Sequence, residues 1–171
     1  MTVRETTPED IDGILAIYPL AFPDEELRPL VTAFLRDEGA RLSLAGFVGR
    51  APAAHVLFTL CDSEAGARTG ALLGPLAVAP AYQQQGWGTS VVHSGFDRLA
   101  ETGVAQVFVL GNPSYYHRFG FHPERLVTPP YPLAAEWTDA WQSKCLASRP
   151  RLPEGRLRLP HPWMEQALWQ P

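Results

Sequence analysis

No apolar segment of this 171-residue chain approaches the roughly 20 residues that span a bilayer. The opening residues, MTVRETTPEDIDG, are too polar to form the apolar centre of a signal peptide. Both absences predict a cytoplasmic protein that does not enter a membrane. Excess positive charge is missing too: 14 basic against 18 acidic residues leave a net charge of −4, without the basic footprint that a nucleic-acid backbone requires. Nucleic acid is therefore not an expected partner, and no run of like charge suggests an interaction tail. Cysteine is scarce. Cys61 and Cys145 are far apart and lack the spacing of metal ligands or of a redox pair, so reduced, packed thiols are expected. His117, His122 and His161 have no metal-ligand spacing with one another or with the cysteines, and no metal is expected.

Apolar residues make up 46% of the chain, enough for one sizeable core in a length too short for two comfortable domains, so a single domain over residues 1–171 is expected. Thr7-Pro8-Glu9-Asp10 has the form of a helix start. Ile11, Ile14, Leu15 and Tyr18 follow at helical spacing, which predicts a helix over residues 8–22. A second helical pattern begins after Pro23, carries Asp24, Glu25 and Glu26 in its first turn, places Leu27, Leu30, Val31, Phe34 and Leu35 on one face, and meets Gly39 as a stop. The runs RLSLAGFVG, AAHVLFTL and GALLGPLAVA are strand-like and separated by turn residues, so they are expected as three antiparallel neighbours. A helix opening at Gly86 shows Val91, Val92, Phe96 and Leu99 on one face and ends near Gly103. AQVFVLG behind it is a near-continuous apolar run, typical of a strand covered on both faces. Residues 70–111 thus read as strand, helix, parallel strand, and the class is α/β. Beyond Pro123 the chain is proline-rich, with WQSKCLAS as one more strand. Trp137, Trp141, Trp163 and Trp169 either cover an acceptor pocket or a dimer interface or pack as core.

The stretch AVAPAYQQQGWGTSVV joins the strand to the helix. A strand that ends in a glycine-bearing loop and leads into a helix aims several free backbone N–H groups at one point, where the helix dipole also favours negative charge. Gly86 and Gly88 lack a Cβ, so an anion can approach the backbone, and Thr89 and Ser90 offer hydroxyl donors. An ordinary capped turn has the same composition. A nucleotide P-loop would need a lysine after its second glycine, and a dinucleotide fingerprint would need a third glycine where Val91 stands.

Taken whole, PLAVAPAYQQQGWGTSVV resembles the acetyl-CoA signature of the Gcn5-related N-acetyltransferases (GNAT), Q/R-x-x-G-x-G/A, with Gln83, Gly86 and Gly88 on its defined positions. Downstream, GNPSYYHRFGF resembles the family's Y-x-x-x-G-F segment, with Tyr116 four residues before Gly120. LLGPLAVAP, VFVLG and YYHRFGF are similar in particular to an uncharacterised bacterial N-acetyltransferase branch. The resemblance implies a mixed, mostly antiparallel sheet of about six to seven strands, splayed between strands 4 and 5 and flanked by helices. It implies acetyl-CoA as co-substrate: the backbone of Leu76, Ala77 and Val78 would pair with the pantetheine arm, Gln83, Gln84, Gln85, Gly86, Trp87, Gly88 and Thr89 would hold the pyrophosphate, and Asn112 would touch the pantetheine. Gln84 and Gln85 stand where the family often has basic residues, and Trp87 is bulkier than its usual counterpart.

Acetyl transfer from a thioester to an amine needs a polarised carbonyl, a proton for the departing thiolate and a deprotonated amine. On the resemblance, the Val78 N–H is the oxyanion donor and Tyr116 the general acid. Glu25, Glu26 and His55 are the candidates for general base, each with a structural role as the alternative. The expected acceptor is a primary amine of a small molecule or peptide, and the expected state a monomer or homodimer. A non-catalytic acetyl-CoA sensor, or a phosphate-binding enzyme of another chemistry, would use the same turn.

Overall fold

The computed structural model describes residues 1–37, 40–66 and 69–170. Among the described residues nine strands form the sheet: β1 Thr2–Glu5, β2 Arg41–Val48, β3 Ala51–Ser63, β4 Gly70–Val78, β5 Gln106–Leu110, β6 His122–Pro123, β7 Val127–Thr128, β8 Trp141–Cys145 and β9 Gly155–Arg158. The helices are α1 Ile11–Ala21, α2 Arg28–Arg36, α3 Trp87–Glu101 and the single turn α4 Pro113–Tyr116. The hydrogen-bonded order is β1-β2-β3-β4-β5-β8-β6, with β9 pairing both β3 and β7. Seven strands lie on that path. The two extra ones, β7 and β9, are pieces of two and four residues, too short to show a period. The neighbours β4 and β5, joined through α3, are parallel, and their register covers Gly70–Leu72 against Gln106–Phe108. β4 continues past that ladder to Val78.

The chain packs as two compact units, Met1–Phe58 with Gly74–Arg98, and Thr59–Leu73 with Leu99–Pro171. In the first, β1 lies antiparallel on β2. The apolar faces of α1 and α2 bury Ile14, Ile17, Tyr18, Val31 and Leu35 against Ala45, Phe47 and Ala77. Each large apolar side chain so buried contributes about 1.5–3 kcal/mol. Thr7 marks the helix entry as expected, but the capping runs from the other partner: its N–H and hydroxyl both donate to Asp10 Oδ2, at 2.8 and 3.0 Å. The second helix starts later than its acidic residues suggested. A helix from Asp24 would need an N–H at residue 29, where proline has none, so Asp24, Glu25 and Glu26 stay in the connection and Pro29 sits in the first turn of α2. The expected stop at Gly39 lies outside the described residues.

In the second unit, β5 is buried along Gln106, Val107, Phe108 and Val109, as its apolar run predicted. It pairs antiparallel with β8, from Gln106↔Cys145 to Leu110↔Trp141. Trp141, Trp163 and Trp169 are core residues. Trp141 stacks on Phe108 with centroids 5.7 Å apart, and Trp169 meets both other indoles at 6.0 and 6.1 Å. Cys61 is buried, whereas Cys145, at the end of β8, is exposed rather than packed.

A buried carboxylate organises this unit. Glu124 Oε1 accepts the backbone N–H groups of Arg125, Leu126 and Val127 at 3.0, 2.7 and 3.0 Å. Its Oε2 accepts Gln106 Nε2, Ser143 Oγ and Arg151 Nη2 at 3.0, 2.5 and 2.6 Å. Burial alone would push its pKa up; the Ser143 hydroxyl, the Val127 and Leu126 N–H groups and Arg151 together outweigh it and hold the carboxyl below its ordinary value. Replacing Glu124 by Gln turns one acceptor into a donor facing donors. The change is expected to lower unfolding free energy by about 3 kcal/mol or more in urea melts, and a loss under about 1 kcal/mol would show that the carboxylate is replaceable.

Candidate functional site

The Gln-Gly turn belongs to the first unit. Pro80–Tyr82 is one turn of 3-10 helix after β4, and α3 begins at Trp87. Gln83 is engaged within the turn: its N–H donates to Pro80 O at 3.3 Å and its Nε2 to Val78 O at 3.1 Å. Gln85 Nε2 donates to Ala81 O at 2.9 Å. The side chains of Gln83 and Gln85 thus brace the turn from within. Ser90 N–H to Gly86 O, at 3.0 Å, closes the first helical bond, so the N–H groups of Trp87, Gly88 and Thr89 precede it with no carbonyl behind them in the helix. Gly86 has φ +84°, a left-handed value that favours glycine, and among the described residues nothing lies within 4 Å of where its Cβ would be. The bulk of Trp87 does not obstruct this opening. Its indole is buried, edge-on to Tyr82 at 5.9 Å and against Gly46 of β2. At the end of β4, Leu76 and Val78 are half-buried and Ala77 is buried.

The tyrosine belongs to the second unit. Tyr116 closes α4, with its ring edge-on to Tyr115 and Phe121 at 5.0 and 5.7 Å. Burial, and then Tyr115, push its pKa well above the usual phenol value, so it is a neutral donor at pH 7. Among the described residues its hydroxyl has no hydrogen-bond partner. The side chain of Asn112 accepts Ser114 N–H at 2.9 Å and so caps α4, leaving its amide NH₂ for other contacts. Gly111 escaped the sequence reading. A Cβ there would sit 2.3 Å from Tyr116 Cε2, so the ring rests on a bare backbone, and Gln142 Nε2 fixes that backbone by donating to Gly111 O at 3.0 Å. The signal was the glycine between VFVL and the Asn-Pro start of α4, readable only once the direction of the Tyr116 ring is known.

Residues 11–121 match the family model described as acetyltransferase (GNAT) family. The chain belongs to the GNAT family. Along 169 residues it is 33% identical to the uncharacterized N-acetyltransferase YjhQ of Escherichia coli (strain K12), covering 94% of this chain and 93% of that one. The solved structure of the GNAT family N-acetyltransferase YhbS from Escherichia coli, in complex with CoA, superposes with a TM-score of 0.83 at 26% identity, covering 95% of this chain and 91% of that one. A GNAT family acetyltransferase from Brucella melitensis, in complex with acetyl-CoA, shares the fold with a TM-score of 0.76 at 24% identity, over 95% of this chain and 97% of that one.

Among the base candidates of this GNAT chain, Glu26 is exposed and bonded to Arg28, whose guanidinium and backbone N–H hold the carboxyl down to about 2. A carboxylate so stabilised is a weak proton acceptor. Glu25 is exposed in the same connection. His55 is fully buried in the first unit, with Nδ1 2.6 Å from Tyr18 Oη and Nε2 2.9 Å from Ser43 Oγ, which also accepts Thr6 Oγ1 at 2.7 Å. Tyr18 is buried with His55 as its hydroxyl partner, so it donates to Nδ1, and Nε2–H donates to Ser43. Both ring nitrogens are engaged, and His55 is the core histidine its apolar run suggested. His117 and His122 meet edge-on at 6.4 Å, yet among the described residues no group of three or more His, Cys, Asp or Glu stands where it could hold a metal. Among them, too, no helix is long and apolar enough to cross a membrane.

Burial lowers the pKa of His55 from 6.5 to about 3, so it folds neutral while the unfolded chain takes up a proton below about 6.5. The stability this group contributes is present above that pH and is lost as pH falls towards 3. Unfolding free energy is expected to drop on acidification from pH 6.5 to 4.5, approaching about 1.4 kcal/mol per pH unit. His55→Gln should flatten that window, and an equally steep profile in the variant would assign the titration elsewhere.

Proposed function

We propose that residues 1–171 act as one acetyl-CoA-dependent N-acetyltransferase domain that moves an acetyl group directly to a primary amine of a small-molecule or peptide acceptor. The observation that carries this reading is the turn from Gln83 to Thr89. It combines a left-handed glycine beneath open space with the orphan N–H groups of a 15-residue helix, which is the chemistry a pyrophosphate needs. CoA- and acetyl-CoA-bound relatives of the same fold support the ligand. The thioester would supply the acetyl group and a thiolate as leaving group. Leu76, Ala77 and Val78 would pair with the pantetheine arm through their backbone, as a strand edge does. The turn, through the N–H groups of Gln84, Gln85, Gly86, Trp87, Gly88 and Thr89, would hold the pyrophosphate. The Val78 N–H would polarise the carbonyl and stabilise the charge that develops on its oxygen as the amine adds. Tyr116, held protonated by burial, would give its proton to the departing sulfur.

Acetyl-CoA at about one hundred times its Kd is expected to stabilise the fold by about 2.7 kcal/mol in thermal melts. Gly86→Asp should abolish the rise while leaving the free protein folded, because the new side chain enters open space, aspartate tolerates a left-handed backbone and its charge opposes the phosphates. A variant that is still stabilised would mean that the turn is structural only.

Tyr116→Phe keeps the ring on Gly111 and removes the hydroxyl. With an acceptor found by following thiol release over an amine panel, kcat/KM should fall at least about tenfold, equivalent to about 1.4 kcal/mol, with acetyl-CoA binding retained. Unchanged turnover with chemistry rate-limiting would make Tyr116 a wall of the site, and binding without turnover on any amine would mark a sensor.

A further inference from the structure

The second unit contains a cavity of about 570 Å³ between the β6–β7 segment, the prolines that follow it, and Trp141 of β8. Its size falls within the roughly 300–1,000 Å³ of small-molecule sites. Prolines and aromatic rings form the apolar part of its wall. Pro129, Pro130 and Pro132 have no N–H to satisfy, and the polar ends of the aromatic walls are turned to protein: Tyr131 Oη donates to Met164 O and Trp141 Nε1 to Val127 O, each at 2.8 Å. The polar tips of both rings are thus bonded elsewhere.

The charged groups on the wall are unequal. Glu124 has both carboxylate oxygens occupied by the six donors described above, and so offers the cavity no strong acceptor. Arg125 is held by Asp139, by Thr138 O at 3.0 Å and by Glu124 O at 3.2 Å. Arg156 is different. Its side chain is 61% exposed and its nearest carboxylate, on Glu64, is 4.0 Å away, beyond hydrogen-bond reach. In the parallel pairing of β7 and β9, Thr128 and Arg156 are Cα partners, so both side chains leave the ladder on the same side, and both line the cavity. Among the described residues the Thr128 hydroxyl has no hydrogen-bond partner. A guanidinium beside a hydroxyl, over a proline and aromatic floor, matches a carboxylate attached to an apolar body.

We propose that this cavity binds a small organic acid, with its carboxylate on Arg156 and Thr128 and its apolar part against Trp141 and the prolines. The inference rests on the cavity alone and does not depend on acetyl-CoA binding. It is tested on the full chain without acetyl-CoA by isothermal titration with phenylacetate, 4-methylpentanoate and the uncharged phenylacetamide. At least one acid is expected to bind with a Kd on the order of 1 mM or tighter, and the amide on the order of tenfold more weakly. Arg156→Gln, a change at an exposed side chain, should leave the melting temperature at the parent value and weaken the acid on the order of tenfold, bringing it level with the amide. The Trp141 indole N–H resonance should shift with the acid in the parent protein. No binding by either acid, equal binding of acid and amide, or parent affinity in Arg156→Gln would each overturn the proposal.

Discussion

The second unit depends on the full occupancy of a single buried carboxylate. Glu124 draws donors from β5, from β8, from the 149–152 segment and from its own β6–β7 turn, elements far apart in sequence. A charge in that position is costly unless every lone pair is met, and here each oxygen has three donors. Gln106 extends the network, because its Oε1 accepts Leu152 N–H at 2.9 Å while its Nε2 reaches both Glu124 and Ser143. The proline-rich third has little regular secondary structure and so few ladder bonds to fix its course. A carboxylate that must be surrounded supplies the missing constraint, since other routes for the chain would strand it.

The two units take their order from different physical sources. The first is organised by amphipathic helices laid on a sheet, and its buried polar network, Tyr18–His55–Ser43–Thr6, is neutral. The second is organised around a charge and a cluster of indoles. The contrast governs what could be read from the sequence. Helix periodicity and the apolar run of β5 are local signals, and α1, α3, β5 and β8 fall close to the expected residues. Four-residue β1 shows no period of its own and exists because β2 offers it an edge. β6, β7 and β9 are likewise defined by their partners. The start of α2 was misread because three acids resemble a helix N-terminus; the missing N–H of Pro29, also local, outranks them.

The candidate site divides in the same way. The glycines and glutamines of the turn were legible as a motif, but the work of the glutamine side chains was not, because bracing Val78 O and Ala81 O is a matter of three-dimensional reach. Residues 70–97 contain no lysine or arginine. On the proposed reading, the phosphates would therefore be met by fixed backbone dipoles, which require no ordering of long side chains. Tyr116 was legible from its spacing to Gly120, whereas Gly111 and Gln142 acquire meaning only from the direction of its ring.

Trp87 and Gly46 form a lock between positions 41 residues apart. The indole lies so close to β2 that a Cβ on residue 46 would come within 2.7 Å of it. Because Trp87 is the first residue of α3, that contact sets the depth at which the helix enters the unit, and with it the aim of the N–H groups beside Gly86. The two positions can be expected to vary as a pair. A side chain gained on β2 would have to be matched by a smaller residue between the two glycines, so the shape of the turn is encoded partly in a strand 41 residues away.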